Sequence, residues 1–231
     1  MILTRTIDSY RFGFSLNLTE PQLRTLAGLF NHPTQTSGVS ILGGRTSVTL
    51  AQLDGIGPVV IKYYRRGGLM RYIIKSRYLK LGQTRSQREF ELLHTVRNLS
   101  INVPEPIAYA HRGRLLYQAW LITRQINEPL SLAQLSSNDE KRTRQVMASV
   151  IEQIKRLIDN GIWHVDLHPG NVVIDRKDQV FLLDFDKGHV YHGDKNKLQD
   201  RYIRRWRRAV KKHNLPTMLN EMIQTGLQEL K

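Results

Sequence analysis

The 231-residue sequence contains no cysteine. Disulfides, thiolate nucleophiles and cysteine-ligated metals are thereby excluded, and the redox state of the compartment stays unconstrained. No apolar run reaches the ~20 residues that a membrane-spanning helix needs. The opening residues, MILTRTIDSYRF, break their apolar start with Thr4, Arg5 and Asp8 too early for a secretory signal, so a cytoplasmic protein is expected. Acidic residues are scarce as well: 20 Asp and Glu stand against 35 Lys and Arg, a formal net charge of +15. Such a balance favours a polyanionic partner, whether nucleic acid, an anionic membrane surface or a phosphorylated substrate. Internal repeats and low-complexity segments are also missing. Hydrophobic residues make up 40%, enough for one large domain or two small lobes with a buried core.

What is present is strongly patterned. Residues 19–30, TEPQLRTLAGLF, read as a short helix with Thr19 as N-cap and Pro21 in the first turn. TSVTLAQL and PVVIKYY read as strands, and DGIG between them is a turn. Residues 84–98, TRSQREFELLHTVRN, read as a helix with Phe90, Leu93 and Val96 on one face and Leu92 beside them, stopped by VPEP. LLYQAWLITRQI is a long apolar stretch of strand propensity, and NEPLSLAQLSSND reads as a linker. A strong helix runs from about Asp139 to Asn160, with Met147, Val150, Ile151, Ile154, Leu157 and Ile158 as its stripe and Asn160-Gly161 as its stop. VVID and VFLLDF then form two short strands around the polar turn RKDQ. The order predicts an α+β fold: a β-rich lobe of residues 1–125 with one main helix, and a compact, mostly helical lobe of residues 126–231. The boundary lies near Gln125–Asn127.

Between the strong helix and that hairpin lies WHVDLHPGNVVI, residues 163–174, and thirteen positions after Asn171 the apolar strand ends at Asp184 in FLLDFDKG. Phosphoryl transfer from ATP needs oxygen ligands for a metal bridging the phosphates, and a carboxylate to orient the attacking hydroxyl and take its proton. It also needs a lysine on the inner phosphates and a carboxylate to hold that lysine. In the pattern H-x-D-x-x-x-x-N, Asp166 fits the base, and Asn171 fits a metal ligand through its amide oxygen. Asp184 fits a second, stronger ligand, because a hairpin between the two brings them side by side. Simpler readings compete. Asp166 and Asn171 are residue types that favour turns, and His164 can be a core histidine satisfied by backbone. His164, His168 and Asp166 could bind a metal among themselves, although Pro169-Gly170 favour a tight loop.

HVDLHPGN and DFD resemble the catalytic loop and the metal-binding D-F-G motif of the protein-kinase-like core. The resemblance implies a bilobal protein-kinase-like fold, ATP and Mg2+ as cofactors, Asp166 as catalytic base, and Asn171 and Asp184 as metal ligands. It makes His164 structural. Asp186 stands where that family has glycine, and is a second metal contact or a surface turn residue. Lys62, closing PVVIKYY, resembles the phosphate-anchoring lysine; the alternative is that it ends an edge strand, where lysine is favoured. Its carboxylate partner should lie on the next helix, at Glu89 or Glu91. Glu89 is the choice because it flanks the stripe of Phe90 and Val96, although Ser86-x-x-Glu89 also spells a capping box. Gly43 and Gly44 in ILGGRTSV would cover the phosphates with backbone amides, and LITRQI, at Thr123 and Gln125, would offer backbone groups to adenine.

Only 47 residues follow Asp184, too few for the activation segment and helices with which protein kinases hold a peptide, so a non-protein acceptor is expected. The stretch YYRRGGLMRYIIKSRYLKLGQTRSQREF, with NVPEPIAYA, LLYQAWLITRQI and NKLQDRYIRRWRRAVKK, resembles the bacterial lipopolysaccharide-core sugar kinases over roughly residues 40 to 212. Kinases of 3-deoxy-D-manno-octulosonic acid (Kdo) are the nearest likeness. That resemblance implies transfer of the ATP γ-phosphate to a hydroxyl, the 4-hydroxyl, of Kdo on a lipid A precursor. The enzyme would work at the anionic cytoplasmic face of the inner membrane, with no nucleic acid and no obligate protein partner. Arg65, Arg66 and Arg71 are candidates for gripping substrate phosphate or carboxylate. Residues Lys195 to Lys212 hold nine lysines and arginines, while Leu198, Tyr202, Trp206 and Val210 recur every fourth position. This is an amphipathic basic helix, whose apolar face packs inward while its charges attract lipid, or which lies on lipid with Trp206 at the interface. A core-heptose kinase, an atypical protein kinase and a nucleic-acid-binding protein are the competing readings. The last leaves Asp166, Asn171 and Asp184 without a role.

Overall fold

The structure, a computed structural model, describes residues 2–31, 47–64, 78–79 and 82–228. It is α+β, and its residues group into two units: Met1–Glu91 with Glu105–Gln125, and Leu92–Pro104 with Ile126–Lys231. Gly43, Gly44, Arg65, Arg66 and Arg71 lie outside the described residues.

The first unit is built on an antiparallel sheet. Its order is β1 (Leu3–Ile7), β2 (Tyr10–Phe14), β6 (Pro106–Arg112), β7 (Leu116–Arg124), β4 (Gly57–Tyr63) and β3 (Ser47–Leu53), with β5 (Tyr78–Leu79) paired to β7. The β3–β4 hairpin lies where the sequence puts it. Its DGIG turn needs glycine, because Gly55 and Gly57 take φ of 71° and 100°, values that a Cβ opposes. The β1–β2 hairpin has no counterpart in the sequence reading. Four of the five β1 side chains are exposed, so no apolar alternation marks the strand. Its two-residue turn is Asp8-Ser9 rather than a glycine turn, with Asp8 supplying the left-handed φ of 52°.

Helix α1 (Glu20–Asn31) buries Leu23, Leu26, Ala27 and Phe30 against this sheet's core. Phe30 stacks on Trp120 of β7 at 4.7 Å between ring centroids, Tyr10 meets the same indole edge-on at 5.4 Å, and Tyr63 stacks on it at 5.3 Å. Side chains alternate along a strand, so anchoring Tyr63 on this face turns its neighbour Lys62 to the other. Strand β4 has β3 on one side and β7 on the other. Lys62 therefore ends an interior strand, and the edge-strand alternative is corrected. Helix α2 (Arg85–Asn98) buries Phe90, Leu93 and Val96 as expected. Thr84 caps it, accepting from the Gln87 N–H at 3.2 Å, while the Ser86 hydroxyl donates to Ala110 O.

The second unit contains residues 92–104, which the sequence reading placed in the first lobe. They belong with it because Gln153 Oε1 accepts from the Asn102 N–H at 2.7 Å and Asn102 O accepts from the Leu182 N–H at 2.9 Å. Residues 127–139 are not a linker. There β8 (Leu130–Ser131) pairs with β10 (Val172–Ile174), and α3 (Leu132–Asn138) opens with a capping box formed by Ser131 and Gln134. Helix α4 (Glu140–Asp159) follows, capped by Asp139 and burying Met147, Val150, Ile154, Leu157 and Ile158. β10 pairs with β11 (Val180–Leu182) around the expected turn, and β9 (Ile162–Trp163) pairs with β12 (His189–Val190).

Helices α5 (Lys195–Lys212) and α6 (Met218–Gln228) complete the unit. Leu198, Tyr202, Trp206 and Val210 all face inward. Trp206 is 1% exposed and donates its indole N–H to Leu219 O at 3.2 Å, so it packs in the core rather than at a lipid interface. Among the described residues no helix is long and apolar enough to cross a membrane.

Emptying the aromatic cluster tests this core. Phe12→Ala, at a ring with no exposure, should lower stability in urea denaturation by about 3–5 kcal/mol. Leu115→Ala, at a side chain 75% exposed, should change it by less than about 0.5 kcal/mol.

Candidate active site

In the first unit, Lys62 at the end of β4 meets Glu89 of α2, its Nζ lying 2.9 Å from both Oε1 and Oε2. The Glu89 side chain is 3% exposed and that of Lys62 17%. Charges so withdrawn from water need partners. The Tyr64 hydroxyl donates to Glu89 Oε2, and the Lys62 ammonium lies 5.1 Å from the Tyr64 ring centroid. Glu91, the other candidate, instead accepts from the side-chain amides of Gln83 and Gln87. A strand and a helix thus hold one ammonium in place, an arrangement suited to gripping phosphate oxygens.

In the second unit, the loop between β9 and β10 carries His164, Asp166, His168 and Asn171. His164 is 1% exposed; its Nε2–H donates to Leu183 O at 2.8 Å, and its ring centroid lies 4.3 Å from that of Phe185. It ties the loop to the segment carrying Asp184. Burial holds its pKa below the ordinary histidine value, against the opposing pull of the Leu183 bond and of Asp184 and Asp166. A single 3-10 turn, Pro169–Asn171, follows, capped by His168, whose Nδ1 accepts from the Gly170 N–H at 3.0 Å. Asn171 Nδ2 donates to Asp166 O at 2.9 Å. That bond orients the amide and leaves Oδ1 as its acceptor end.

The hairpin does what the spacing implied. Val172 pairs with Leu182, and Asn171 O accepts from the Leu183 N–H at 2.8 Å, one residue before Asp184. Asp184 takes φ of 64°, in the left-handed region that aspartate enters more readily than most residues. Such a conformation persists where the surroundings over-determine it. Here His164 holds both neighbours, Leu183 by its carbonyl and Phe185 by its ring.

Two residues of α5 complete the loop's support, and sequence reasoning missed both. Tyr202 is 3% exposed; its hydroxyl donates to Ile162 O at 2.7 Å and accepts from the His164 N–H at 2.8 Å. Arg205 directs Nε at Asp166 Oδ1, 3.2 Å away, and its Nη2 bonds the same oxygen. Their i, i+3 spacing sets them on neighbouring positions of one helix face. A hydroxyl among apolar repeats was the one signal available, and it does not say which loop the hydroxyl meets. Burial pushes the Asp166 pKa up, but the hydrogen bond and charge of Arg205 outweigh it and hold the carboxyl below its usual range. His168 is kept neutral, its pKa lowered to about 4 by burial and by the Arg205 charge.

The side chains that Asn171 and Asp184 bring to the hairpin carry oxygen donors, an amide Oδ1 and a carboxylate. That chemistry fits Mg2+, which takes few protein ligands, keeps several waters and shares substrate phosphates. The alternative metal site of His164, His168 and Asp166 is not formed: His164 Nε2 is engaged by Leu183 O and His168 Nδ1 by Gly170. Among the described residues no group of three or more His, Asp or Glu side chains is placed to cage a metal. Asp186 is half-buried in the turn between β11 and β12. Thr123 stands in the ladder opposite Val60 and Pro106, and the Gln125 N–H, one residue past the end of β7, donates to Pro58 O of β4 at 3.0 Å.

The grip of α5 on the loop can be measured. Tyr202→Phe strips the hydroxyl from two buried backbone groups and should cost about 1–3 kcal/mol in urea denaturation, with helix content unchanged. Wild-type stability in that variant would remove Tyr202 as the loop's anchor.

A sequence profile of the lipopolysaccharide kinase (Kdo/WaaP) family matches residues 40–225. The 3-deoxy-D-manno-octulosonic acid kinase of Vibrio parahaemolyticus is 36% identical over 178 residues, 74% of this chain and 74% of that protein. The enzyme of the same name from Vibrio vulnificus is 32% identical over 163 residues, 69% of this chain and 68% of its own. That of Photobacterium profundum is 28% identical over 190 residues, 81% and 80% of the two chains. Among solved structures, a kinase of Cydia pomonella granulovirus matches with a TM-score of 0.45 and 16% identity, over 64% of this chain and 50% of that one. The profile match takes in Lys62, Glu89, Asp166, Asn171, Asp184 and Arg205, and the chain belongs to the lipopolysaccharide kinase (Kdo/WaaP) family of phosphotransferases.

Proposed function

We propose that the protein uses ATP and Mg2+ to phosphorylate a hydroxyl of Kdo, the 4-hydroxyl, on a lipid A precursor during assembly of the lipopolysaccharide core. The observation that carries this reading is the loop and hairpin of the second unit, where hydrogen bonds hold Asp166 and Asn171, and hold Asp184 through its neighbour Leu183, in a chain of the lipopolysaccharide kinase family. The relatives named as Kdo kinases support the choice of acceptor.

Bound Mg2+ would neutralise the charge of the phosphates in transfer. Asn171 Oδ1 and the Asp184 carboxylate would hold it. Arg205 bonds Asp166 Oδ1, which leaves Oδ2 to orient the acceptor hydroxyl and receive its proton. A carboxylate with a lowered pKa is a weak base, but phosphoryl transfer runs through a loose transition state in which positioning matters most. Lys62 grips the inner phosphates, and Glu89 keeps its ammonium aimed. We place the protein peripherally on the cytoplasmic face of the inner membrane, where its lipid acceptor and anionic headgroups meet a net charge of +15.

The test is phosphate transfer from γ-labelled ATP, with Mg2+, to a lipid A precursor carrying one Kdo, beside the same precursor lacking Kdo. Labelling should require Kdo, and Asp166→Asn should abolish it. Asp184→Asn keeps a residue that tolerates the left-handed conformation, so it should fold normally yet lose on the order of a thousandfold in kcat. Full activity in that variant rules out Asp184 as a metal ligand. Labelling of the Kdo-free precursor moves the acceptor to another sugar.

A further inference from the structure

Five of the cations on α5 share one face. At about 100° per residue, Lys197, Arg201, Arg205, Arg208 and Lys212 fall within an arc of about 80° along ~22 Å of helix. Asp200, the one acidic residue within the helix, lies off that arc. Three arginines on other helices follow a different rule. Arg24, Arg144 and Arg156 each pair with a glutamate four residues earlier, as solvated helix faces commonly do. The α5 stripe has no such answer on its own helix, so its charges repel one another unless an anion lies along it.

The stripe leads to the candidate base. Half-buried Arg205 at its centre bonds Asp166 through Nε and Nη2, and the remaining N–H groups of a guanidinium can take a second carboxylate. Arg201, one turn earlier, lies over the rings of Trp163 and Tyr191 at 4.3 and 4.9 Å, which steadies its guanidinium without neutralising it. Arg208 and Lys212 are exposed, and among the described residues neither forms a salt bridge.

The geometry points to an anion track for the acceptor along α5: Arg205 takes the carboxylate of the sugar whose hydroxyl Asp166 positions, and Arg208 and Lys212 take phosphates of its lipid. This rests on the acceptor being the phosphorylated sugar-acid lipid proposed above. That sugar carries a carboxylate on the ring that reacts, so the carboxylate is the anion nearest Asp166. Arg205 acts on acceptor binding, separately from the Lys62 grip on nucleotide.

The experiment compares Arg208→Gln/Lys212→Gln with Lys141→Gln/Lys177→Gln, which removes the same charge from exposed positions off α5. The first double variant should raise the acceptor KM about tenfold with a much smaller change in kcat, and the second should leave KM within about twofold. Equal effects of the two doubles, or no effect of the first, overturn the track. Binding of the Kdo-bearing precursor in nonionic-detergent micelles, without ATP, is measured in parallel. If wild type binds it, the α5 double does not, and no phosphate is transferred, the track stands and the kinase reading of this acceptor falls. If transfer proceeds while binding ignores α5, the kinase reading stands and the track falls. With the lipid phosphates removed enzymatically, the penalty of the α5 double should vanish while Arg205→Gln still weakens binding. A penalty that survives dephosphorylation removes Arg208 and Lys212 as phosphate ligands. An equal loss of affinity for duplex DNA makes the stripe a general polyanion surface and overturns its assignment to the acceptor.

Discussion

One hydroxyl and one guanidinium on α5 hold the loop on which the second unit's chemistry depends. Residues 164–171 are rich in His, Asp, Pro, Gly and Asn, and apart from Val165, Leu167 and Pro169 they offer little apolar surface to bury. Such a loop cannot be kept in one conformation by the hydrophobic effect; it has to be held by polar contacts from structure on either side. His164 supplies them from within, by its bond to Leu183 and its contact with Phe185. Tyr202 and Arg205 supply them from α5. The apolar stripe of that helix, with Trp206 fully buried, makes the support rigid.

Each unit holds one candidate carboxylate, and the two are treated in opposite ways. Glu89 is withdrawn from solvent and closed off by Lys62 and Tyr64, a rigid brace with little freedom to do anything else. Asp166 keeps 44% of its side chain exposed and shares only one oxygen with Arg205. The difference follows from what each neighbour offers. A buried ion pair needs every lone pair answered, whereas a carboxylate that must meet a substrate has to keep an edge open. The positive balance of the chain has a place in the same logic. Five cations on one face of α5 give a location to an excess that composition reports only as a sum.

The residues most legible in the sequence were those whose neighbours lie close along the chain. Asn171 and Asp184 could be paired because one short hairpin joins them, and Lys62 could be matched to Glu89 because a strand end and the next helix are consecutive landmarks. Several elements were hidden for definite reasons. β1 shows no alternation because most of it is exposed, so its pattern is that of a loop. The polar run SSND disguised α3, although Ser131 and Gln134 carry a capping signature. Residues 92–104 read as the end of the first lobe because nothing local announces that Asn102 hydrogen-bonds Gln153, 51 residues away.

By itself the sequence determined the class of chemistry and named the candidate residues for it. Short-range periodicity sets strands and helices, and the carboxylate–amide–carboxylate spacing survives any packing that preserves one hairpin. The tertiary structure decided what surrounds those residues. It decided that His164 is buried with its pKa held down, that Asp184 sits in the left-handed region, and that α5 delivers Arg205, 39 residues beyond Asp166, to that carboxylate. The physical reason is range. Backbone conformation responds to neighbours a few positions away, while desolvation and charge pairing depend on what the folded chain brings within a few ångströms, and no local pattern encodes that.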